Sequence, residues 1–410
     1  MNSTNQHPFA LPFPIQDNSL LIGGMTISQL ANRVGQTPFY AYDRRLVSER
    51  VALLRSSLPK DIHLHFAVKS NPMPALVQHL AGLVDGFDVA STGELKTVLD
   101  TTMPPDKISF AGPGKTEREL CQAAAAGIVV NVESEREIDL LAKIGFDMGI
   151  KPKVAVRINP DFELKSSGMK MGGGPKQFGI DAEIVPDLLV RMGALELDFY
   201  GFHIFSGSQN LRADSIIEAQ EKTFDLARRM AAYAPGPIRL LNLGGGFGIP
   251  YFPGEHTLDL SRVAERLACL VFDARKEFPG AEFVVELGRY IVGEAGVYVC
   301  RVIDRKVSRG HVFLVADGGL HHHLSASGNF GQVIRKNYPV LVGNRVIVEE
   351  TESASVVGPL CTPLDLLADK MLLGHARIGD FIAVLQSGAY GYTASPRDFL
   401  SHPQPVEILV

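Results

Sequence analysis

Eight short apolar runs, each followed by a helix-like stretch, recur between about residue 60 and residue 290 of this 410-residue chain. Strands that alternate with helices form parallel βα units, and eight units over about 230 residues match a closed barrel better than an open sheet. This repeat limits the possible folds more than any other feature. The predicted strands are Ile62–Val68, Phe87–Ser91, Ile108–Ala111, Ile128–Val132, Val154–Ile158, Tyr200–Phe205, Leu240–Leu243 and Phe283–Leu287.

The pattern changes after residue 295, where strand-like runs follow one another with few helices between them. Such runs predict an antiparallel β-domain, which the strand-like Pro38–Tyr42 is expected to join. The fold class is therefore α/β, a (β/α)8 TIM-like barrel with a C-terminal antiparallel β-domain. We expect residues 1–44 to join the β-domain, residues 45–292 to form the barrel and residues 293–410 to form the β-domain. The predicted C-terminal strands are Val297–Val307, Val312–Val315, Arg345–Glu350, Phe381–Leu385 and Val406–Leu409.

Charge and hydropathy exclude several classes of partner. Forty Lys and Arg against 45 Asp and Glu leave a net charge of -5, which provides no basic field for nucleic acid or anionic lipid. The first residues lack the pattern of a secretory leader, and no apolar run reaches the ~18 residues that span a bilayer. The four cysteines have neither metal-ligand nor redox spacing. We expect a cytoplasmic protein that binds neither nucleic acid nor a membrane.

Residues capable of chemistry recur at the same end of the predicted strands. In a (β/α)8 barrel the catalytic groups come from the carboxyl ends of the strands, so their side chains meet on one face. Each residue alone is a weak indication, and the recurrence is the argument. The candidates are Lys69, Asp88, Arg157, His203, Ser206, Gly244, Gly245, Gly246, Glu286 and Arg289.

Several of these candidates have two interpretations. Lys69 follows a hydrophobic strand, where it either extends to solvent or, when desolvated, forms a Schiff base with a cofactor aldehyde. His203 is either a core histidine or a group that stacks on a flat ring. Arg157 fits a structural ion pair or a contact to a cofactor's phenolate oxygen. An unpaired buried carboxylate at Glu286 would be costly, and a pyridinium N–H would be a suitable partner.

The run Leu241–Gly248 is a candidate phosphate cradle. Glycines let backbone N–H groups approach phosphate oxygens, and the late loops of a barrel are a usual place for such a site. A dinucleotide fingerprint is the weaker match, because Gly-Ile-Pro follows where that motif needs a helix.

The ordered motifs AVKSN, FDVAS, GFHIFSGS, GGGFG, ELGRY, GPLCTPLD and GAYG resemble those of the fold-type III pyridoxal-phosphate decarboxylases, which share the alanine racemase-like barrel. That superfamily includes the diaminopimelate, ornithine and arginine enzymes. Within it the chain looks most like the exosortase A system-associated decarboxylases and relatives that act on carrier-tethered amino acids. The resemblance extends from Thr37 to the C-terminus.

The resemblance implies a cofactor, pyridoxal 5'-phosphate (PLP), and a role for each matching residue. Lys69 would hold PLP, His203 would stack on its ring and Glu286 would contact the pyridine nitrogen, which favours decarboxylation over racemisation. Cys361 would protonate the α-carbon and would reach the active site of the other subunit, so a homodimer with shared sites is implied. The remaining cofactor-binding residues would be Asp88, Arg157, Ser206, Gly244, Gly245, Gly246, Arg289 and Tyr390.

Two positions depart from the diaminopimelate and ornithine enzymes, which use a charged residue at each to grip the distal end of the substrate. Thr362 follows Cys361 where those enzymes have an acidic residue, and the loop that begins at Asp317 has no arginine. Losing a charge-assisted contact costs on the order of 1.5–3 kcal/mol. We therefore expect a small or carrier-tethered amino-acid substrate with an uncharged distal end, contacted by Asp317, Thr362 and Asp365.

Other functions remain open on the same barrel. They are a diaminopimelate or ornithine/lysine decarboxylase, an amino-acid racemase and a non-catalytic regulator. A metal site at His321–His323 is not expected, because consecutive side chains point in different directions and no further ligand stands at suitable spacing.

Overall fold

The computed structural model describes residues 11–163, 169–170, 172–332 and 334–410, which form two compact units. The first unit contains Arg50–Ile249 and His256–Tyr290. The second contains the chain up to Glu49 together with Pro250–Glu255 and Ile291–Val410. Pro250–Glu255 therefore belongs to the second unit, although its place in the sequence predicts the barrel. The domain limits at residues 44 and 292 stay predictions.

The strands and helices are numbered along the chain. The strands are β1 (Ile15–Gln16), β2 (Ser19–Ile22), β3 (Met25–Thr26), β4 (Phe39–Tyr42), β5 (Ile62–Ala67), β6 (Gly86–Val89), β7 (Ile108–Phe110), β8 (Val129–Val132), β9 (Lys153–Asn159), β10 (Met169–Lys170), β11 (Ile180–Asp181), β12 (Asp198–Ile204), β13 (Gly207–Ser208), β14 (Leu240–Gly245), β15 (Glu282–Leu287), β16 (Gly296–Ser308), β17 (His311–Ala316), β18 (Val340–Val342), β19 (Thr351–Val357), β20 (Leu366–Gly374), β21 (Phe381–Val384) and β22 (Val406–Leu409). The α-helices are α1 (Ile27–Val34), α2 (Arg44–Ser57), α3 (Pro74–Ala81), α4 (Thr92–Leu99), α5 (Glu117–Ala126), α6 (Glu135–Met148), α7 (Val185–Met192), α8 (Ala213–Ala231), α9 (Leu260–Glu277) and α10 (Arg289–Val292).

The described part of the first unit is a closed barrel of eight parallel strands in the order β5, β6, β7, β8, β9, β12, β14 and β15. The barrel closes because β15 pairs with β5 and β8 pairs with β9. All eight predicted strands are present, so the predicted barrel is confirmed. The short strand β11 adds to β9, and β10 pairs antiparallel with β13.

Local sequence signals explain why helices start soon after the strands. Ser91, Thr116 and Ser134 each accept a hydrogen bond from a backbone N–H three residues on, at the starts of α4, α5 and α6. Such caps satisfy N–H groups that have no partner in the first turn of a helix. They fix short strand-to-helix turns and so place the carboxyl ends of these strands on one rim of the barrel.

The second unit is built on a mixed sheet in the order β18, β21, β16, β17, β19 and β20, with β4 between β16 and β22. The β-domain is confirmed, and most pairs are antiparallel as predicted. Two pairs, β17 with β19 and β22 with β4, are parallel. The core around this sheet contains Leu20, Ile22, Ile27, Leu30, Phe39, Ala41, Val297, Val299, Phe381 and Ala383.

One predicted strand of the second unit is wrong. Arg345–Glu350 forms no strand, because the N–H groups of Val346 and Ile347 bond to the backbone and side chain of Asn18 instead of a neighbouring strand. The strands in this region are β18, β19 and β20, which the sequence patterns did not indicate. None of the helices in the described part of the chain combines the length and apolar character that crossing a membrane requires.

Candidate active site

Each strand of the barrel carries a polar side chain that is buried, or nearly so, among apolar neighbours. Four of these were predicted, namely Asp88, Arg157, His203 and Glu286, and four were missed. A single polar residue inside an apolar strand is the signal that could have found the missed ones, because burying it requires a partner. The full set is His65, Asp88, Ser109, Asn131, Arg157, His203, Asn242 and Glu286.

Lys69, His203 and Glu286 lie together. Lys69 lies in a short 3-10 helix, Val68–Ser70, directly after β5. Its Nζ is 4.0 Å from Glu286 Oε1. His203 Nε2 lies 3.5 Å from Glu286 Oε2, since β12, β14 and β15 are consecutive in the barrel. The side chain of Lys69 is 43% exposed, whereas those of Glu286 and His203 are 12% and 3% exposed. A lysine accessible to solvent thus stands beside a buried carboxylate.

The electrostatics of this group follow from burial. Burial, followed by the charge of Asp88, raises the pKa of Glu286 to about 6. Burial, followed by the charge of Arg157, holds the pKa of His203 well below its usual value. At neutral pH Glu286 is therefore mostly ionised and His203 is neutral. Within the described chain neither ring nitrogen of His203 makes a hydrogen bond.

Asp88 belongs to a second polar group inside the barrel. It accepts the hydroxyl of Ser109, which in turn accepts Asn131 Nδ2 at 3.0 Å. Its other oxygen lies 3.3 Å from Nδ1 of His65. Of His65, Asp88, Ser109 and Asn131, only Asp88 was among the site residues predicted from the sequence.

Arg157 forms the structural ion pair that was one of its two interpretations. Its Nη1 lies 2.8 Å from Glu133 Oε1, and both side chains are buried. Glu133 also accepts the backbone N–H groups of Gly112 and Gly179. These bonds fix the guanidinium beside His203, with which Arg157 is in register across β9 and β12. A contact between Arg157 and a cofactor stays a prediction.

The glycine run forms a cradle that side chains would fill. A Cβ atom at Gly244, Gly245 or Gly246 would overlap the ring of Phe205, the carbonyl of Glu286 or the carbonyl of Gly207. Gly244 and Gly246 also have φ of +64° and +76°, which glycine adopts at low cost. The run and Ser206 line one cavity together with residues of α8. Arg289, the first residue of α10, follows β15 and is half-buried.

The remaining predicted residues belong to the second unit. Asp365 is buried and accepts the N–H groups of Leu320 at 2.6 Å and Leu360 at 2.8 Å. Asp317 accepts the N–H of Arg301 at 2.8 Å and the hydroxyl of Thr37. In both residues each carboxylate oxygen therefore has a structural partner. Cys361 is exposed, Thr362 is half-buried, and Tyr390 is half-buried with φ of +54°.

The three consecutive histidines are buried side chains of the second unit. His322 Nδ1 lies 3.2 Å from Tyr298 Oη, and His323 Nε2 lies 2.8 Å from Ser387 Oγ. Burial lowers the pKa of His321 and of His323 to about 3. Across the described ranges, no group of three or more His, Cys, Asp or Glu side chains is arranged to hold a metal ion.

The arrangement in the barrel fits PLP. The cofactor needs an amine for its aldehyde, a carboxylate for its ring nitrogen, a flat surface against its ring and N–H donors for its phosphate. Lys69, Glu286, His203 with its unbonded ring nitrogens and the cradle Gly244–Gly246 provide groups of these kinds. The fold and the site thus define an α/β-barrel enzyme built around this cofactor.

Comparison with known proteins gives the family. Residues 44–293 match the family model described as "Pyridoxal-dependent decarboxylase, pyridoxal binding domain". The chain belongs to the PLP-dependent decarboxylases, which are lyases that use this cofactor to remove a carboxylate from an amino acid. The predicted reaction class, cofactor and superfamily are confirmed.

Individual relatives cover nearly the whole chain. The chain is 38% identical over 380 residues to L-glutamyl-[BtrI acyl-carrier protein] decarboxylase of Niallia circulans, covering 91% of this chain and 89% of the relative. It is 32% identical over 398 residues to diaminopimelate decarboxylase of Aquifex aeolicus, covering 96% and 91%. The crystal structure of diaminopimelate decarboxylase from M. jannaschii with L-lysine is similar at a TM-score of 0.87 and 25% identity, covering 97% and 92%.

Proposed function

We propose that the substrate is an amino acid whose side-chain end is held as an uncharged thioester on an acyl carrier protein. The enzyme removes the α-carboxylate, and the carrier-bound amine leaves as the product. A free diamino acid is the alternative, since the family also includes diaminopimelate decarboxylases. The two substrates differ in the charge at the distal end, and a free diamino acid needs a carboxylate of the enzyme to receive its ammonium.

The bonding of Asp365 and Asp317 carries this proposal. Thr362 provides no charge beside Cys361, so another carboxylate would have to receive a distal ammonium. Asp365 holds two backbone N–H groups, and Asp317 holds a backbone N–H and a hydroxyl. An ammonium would compete with these bonds, and breaking a bond to a charged group costs on the order of 1.5–3 kcal/mol. An uncharged distal end has no such requirement.

The similarity to a carrier-dependent enzyme supports the same substrate class. The Niallia circulans relative is named for L-glutamyl bound to an acyl carrier protein, and it is 38% identical to this chain. We therefore take a carrier-bound glutamyl group as the first substrate to test. The substrate contacts expected above for Asp317, Thr362 and Asp365 stay predictions.

The proposed residue roles follow the geometry of the barrel. PLP bound at this site supplies an electron sink for the electron pair that remains when the carboxylate departs as carbon dioxide. Lys69 would hold the cofactor, and Glu286 would offer its negative charge to the ring nitrogen. Neutral His203 would pack against the ring without competing for the charge of Glu286. Ser206, the cradle Gly244–Gly246 and Arg289 would bind the phosphate, and the same role for Tyr390 stays a prediction from the resemblance.

Cys361 is proposed to donate a proton to the α-carbon in the active site of a partner subunit. This role requires a homodimer with shared sites. Mixing Lys69→Ala and Cys361→Ala proteins tests it, because a mixed dimer would regain one intact site. Random exchange should restore about a quarter of wild-type activity. Failure to regain activity after confirmed subunit exchange would assign Cys361 to its own subunit's site.

The deciding experiment measures carbon dioxide release by the PLP-loaded protein. The substrates are L-glutamyl-acyl carrier protein and free glutamate, lysine, ornithine, arginine and diaminopimelate. We expect kcat/KM for the carrier-bound substrate to exceed that for every free amino acid by at least about 100-fold. Lys69→Ala is the inactive control, and Lys151→Ala, an exposed lysine paired with Glu196, is the matched active control.

Two results would change the assignment. Fast turnover of free diaminopimelate or lysine would reject the carrier-bound substrate and would place a distal clamp at Asp317 or Asp365. Asp317→Asn and Asp365→Asn would then raise KM for that amino acid. If the protein with a full complement of PLP turned over none of these substrates, the carrier-bound glutamyl group and all the free amino acids tested would be rejected.

A further inference from the structure

His65 lies between two buried carboxylates. It is in register with Glu286 on one neighbouring strand, β15, and its Nδ1 is 3.3 Å from Asp88 Oδ2 on the other, β6. The three strands are consecutive in the barrel, in the order β15, β5 and β6. The side chains of His65 and Asp88 are 6% and 4% exposed, so solvent screens the interaction little.

The space for this imidazole is provided by the neighbouring strand. Gly86, the register partner of His65 on β6, has no side chain, and a Cβ atom there would overlap Nε2 of His65. Within the described chain neither ring nitrogen makes a hydrogen bond of good geometry. A small rotation of the ring toward Asp88 would complete one. The imidazole of His65 therefore fills the space beside Gly86 and lies close to the carboxylate of Asp88.

The two carboxylates affect each other. Asp88 is the largest charge that raises the pKa of Glu286, after burial itself, whereas His65 is among the groups that lower it. The other groups facing Glu286 are Lys69 from the turn after β5, Arg157 from β9 and His203 from β12. Compensating the neighbouring negative charge lowers the pH at which a carboxylate in such a site takes up a proton.

We propose that His65 is a positioning residue that shares a proton with Asp88 and so keeps Glu286 ionised opposite the pyridine nitrogen. The proposal rests on the role given to Glu286 under the proposed function and does not depend on the identity of the substrate. In this proposal His65 acts through Asp88. Without it, the charge of Asp88 would act on Glu286 uncompensated, and Glu286 would take up a proton at higher pH.

The test is a pH titration of His65→Gln, which keeps a side chain of similar size but cannot carry a proton. The readout is the visible absorbance of PLP bound to the enzyme, without substrate, together with PLP affinity at each pH. In the wild type we expect a transition where Glu286 takes up a proton, from a pKa that burial raises above its usual value. In His65→Gln it should move up by about one pH unit.

Two further variants show whether charge is the cause. The double variant His65→Gln/Asp88→Asn removes the uncompensated charge, so the transition should return to wild-type pH or below. His63→Gln is the matched control, since His63 is on the same strand two residues earlier and lies 3.9 Å from Glu282 instead. It should leave the transition unmoved.

The possible outcomes distinguish the proposal for His65 from the proposed role of Glu286, on which it rests. If Glu286→Gln leaves the spectrum and its transition unchanged, the proposed role of Glu286 fails. If Glu286→Gln abolishes the transition but His65→Gln leaves it in place, only the proposal for His65 is overturned. A shift in His65→Gln that Asp88→Asn does not reverse would also overturn it, because the histidine would then act by packing alone.

Discussion

Glu286 in the barrel and Asp365 in the second unit are both buried carboxylates whose pKa is raised mainly by burial. Their neighbours differ. Asp365 accepts two backbone N–H groups, one from Leu320 in a distant segment and one from Leu360 five residues before it. Glu286 is faced by the side chains of Lys69 and His203.

The comparison separates two uses of a buried polar group. Fixed backbone donors leave Asp365 little to offer another molecule, so we expect it to contribute mainly to stability. Side chains that titrate around Glu286 leave its charge adjustable, and such clusters are a mark of functional sites. Burial alone does not distinguish a structural carboxylate from a functional one, whereas the kind of group that faces the carboxylate does.

The largest predicted effect is the loss of activity in Glu286→Gln. The amide keeps the shape of the side chain and removes the charge opposite the ring nitrogen. Decarboxylation should fall by about 100-fold or more at saturating PLP, while the melting temperature stays close to that of the wild type. Carbon dioxide release and thermal unfolding, measured on the same preparation, check this. Near-normal turnover would contradict a functional role for the charge of Glu286.

The reverse pattern is predicted for Asp365→Asn. The amide NH2 must face Leu320 N–H or Leu360 N–H, so one backbone donor loses its acceptor. The free energy of unfolding should fall by about 1–3 kcal/mol, with kcat of the folded enzyme within about threefold of wild type. Denaturant unfolding measures the first and initial rates the second. Asp304→Asn, at an exposed position in β16, is the control; an activity loss without destabilisation would give Asp365 a place in the active site.

A smaller effect is predicted for Gly246→Ala. The added methyl group would overlap the carbonyl of Gly207 and spread the phosphate cradle. Affinity for PLP, measured by titrating the apoprotein, should fall by about tenfold. Gly254→Ala separates strain from crowding, because Gly254 has a similar φ of +85° but open space around it. Equal losses of affinity in both variants would argue against a cradle at Gly246.

The smallest effect concerns His323. Its Nδ1 accepts Ala326 N–H at 3.3 Å, and its Nε2 lies 2.8 Å from Ser387 Oγ, whose hydroxyl donates to Val384 O. These bonds require the neutral imidazole, and burial lowers its pKa to about 3. A lowered pKa contributes stability above the unfolded value of about 6.5 that is lost as pH falls.

Between pH 7 and pH 5.5 this histidine should therefore cost the native state about 1 kcal/mol. Denaturant unfolding of wild type and His323→Gln at both pH values gives the difference. The variant should be less stable at pH 7, yet lose less stability on acidification. An equal loss in both proteins would show that His323 does not contribute to the acid sensitivity.

The barrel is predictable from sequence because its signals are local. Each strand is a short apolar run, and Ser91, Thr116 and Ser134 mark the starts of the helices that follow. The second unit depends on distant pairing. Thr351–Val357 becomes a strand despite its polar first half because its second half, Ala354–Val357, pairs with β17, more than 30 residues earlier in the chain.

The residues of the site also fall into those that local sequence signals predict and those that depend on distant contacts. Lys69, His203 and Glu286 could be found because the ends of parallel strands meet on one rim. His65 and Asn131 were missed because nothing in their immediate sequence states which side chains face them across the barrel. Asp317 and Asp365 were predicted as substrate contacts, but the N–H groups of Arg301 and Leu320 that they accept lie in distant segments of the chain.

The pairing of β4 with β16 on one side and β22 on the other has a consequence for synthesis on the ribosome. Strand β4 emerges early, but its two neighbours follow more than 250 and 360 residues later. The strands of the barrel are complete long before β22 appears. During elongation β4 is thus an open edge able to recruit the wrong strand. The second unit can therefore complete its sheet only after β22 has emerged from the ribosome.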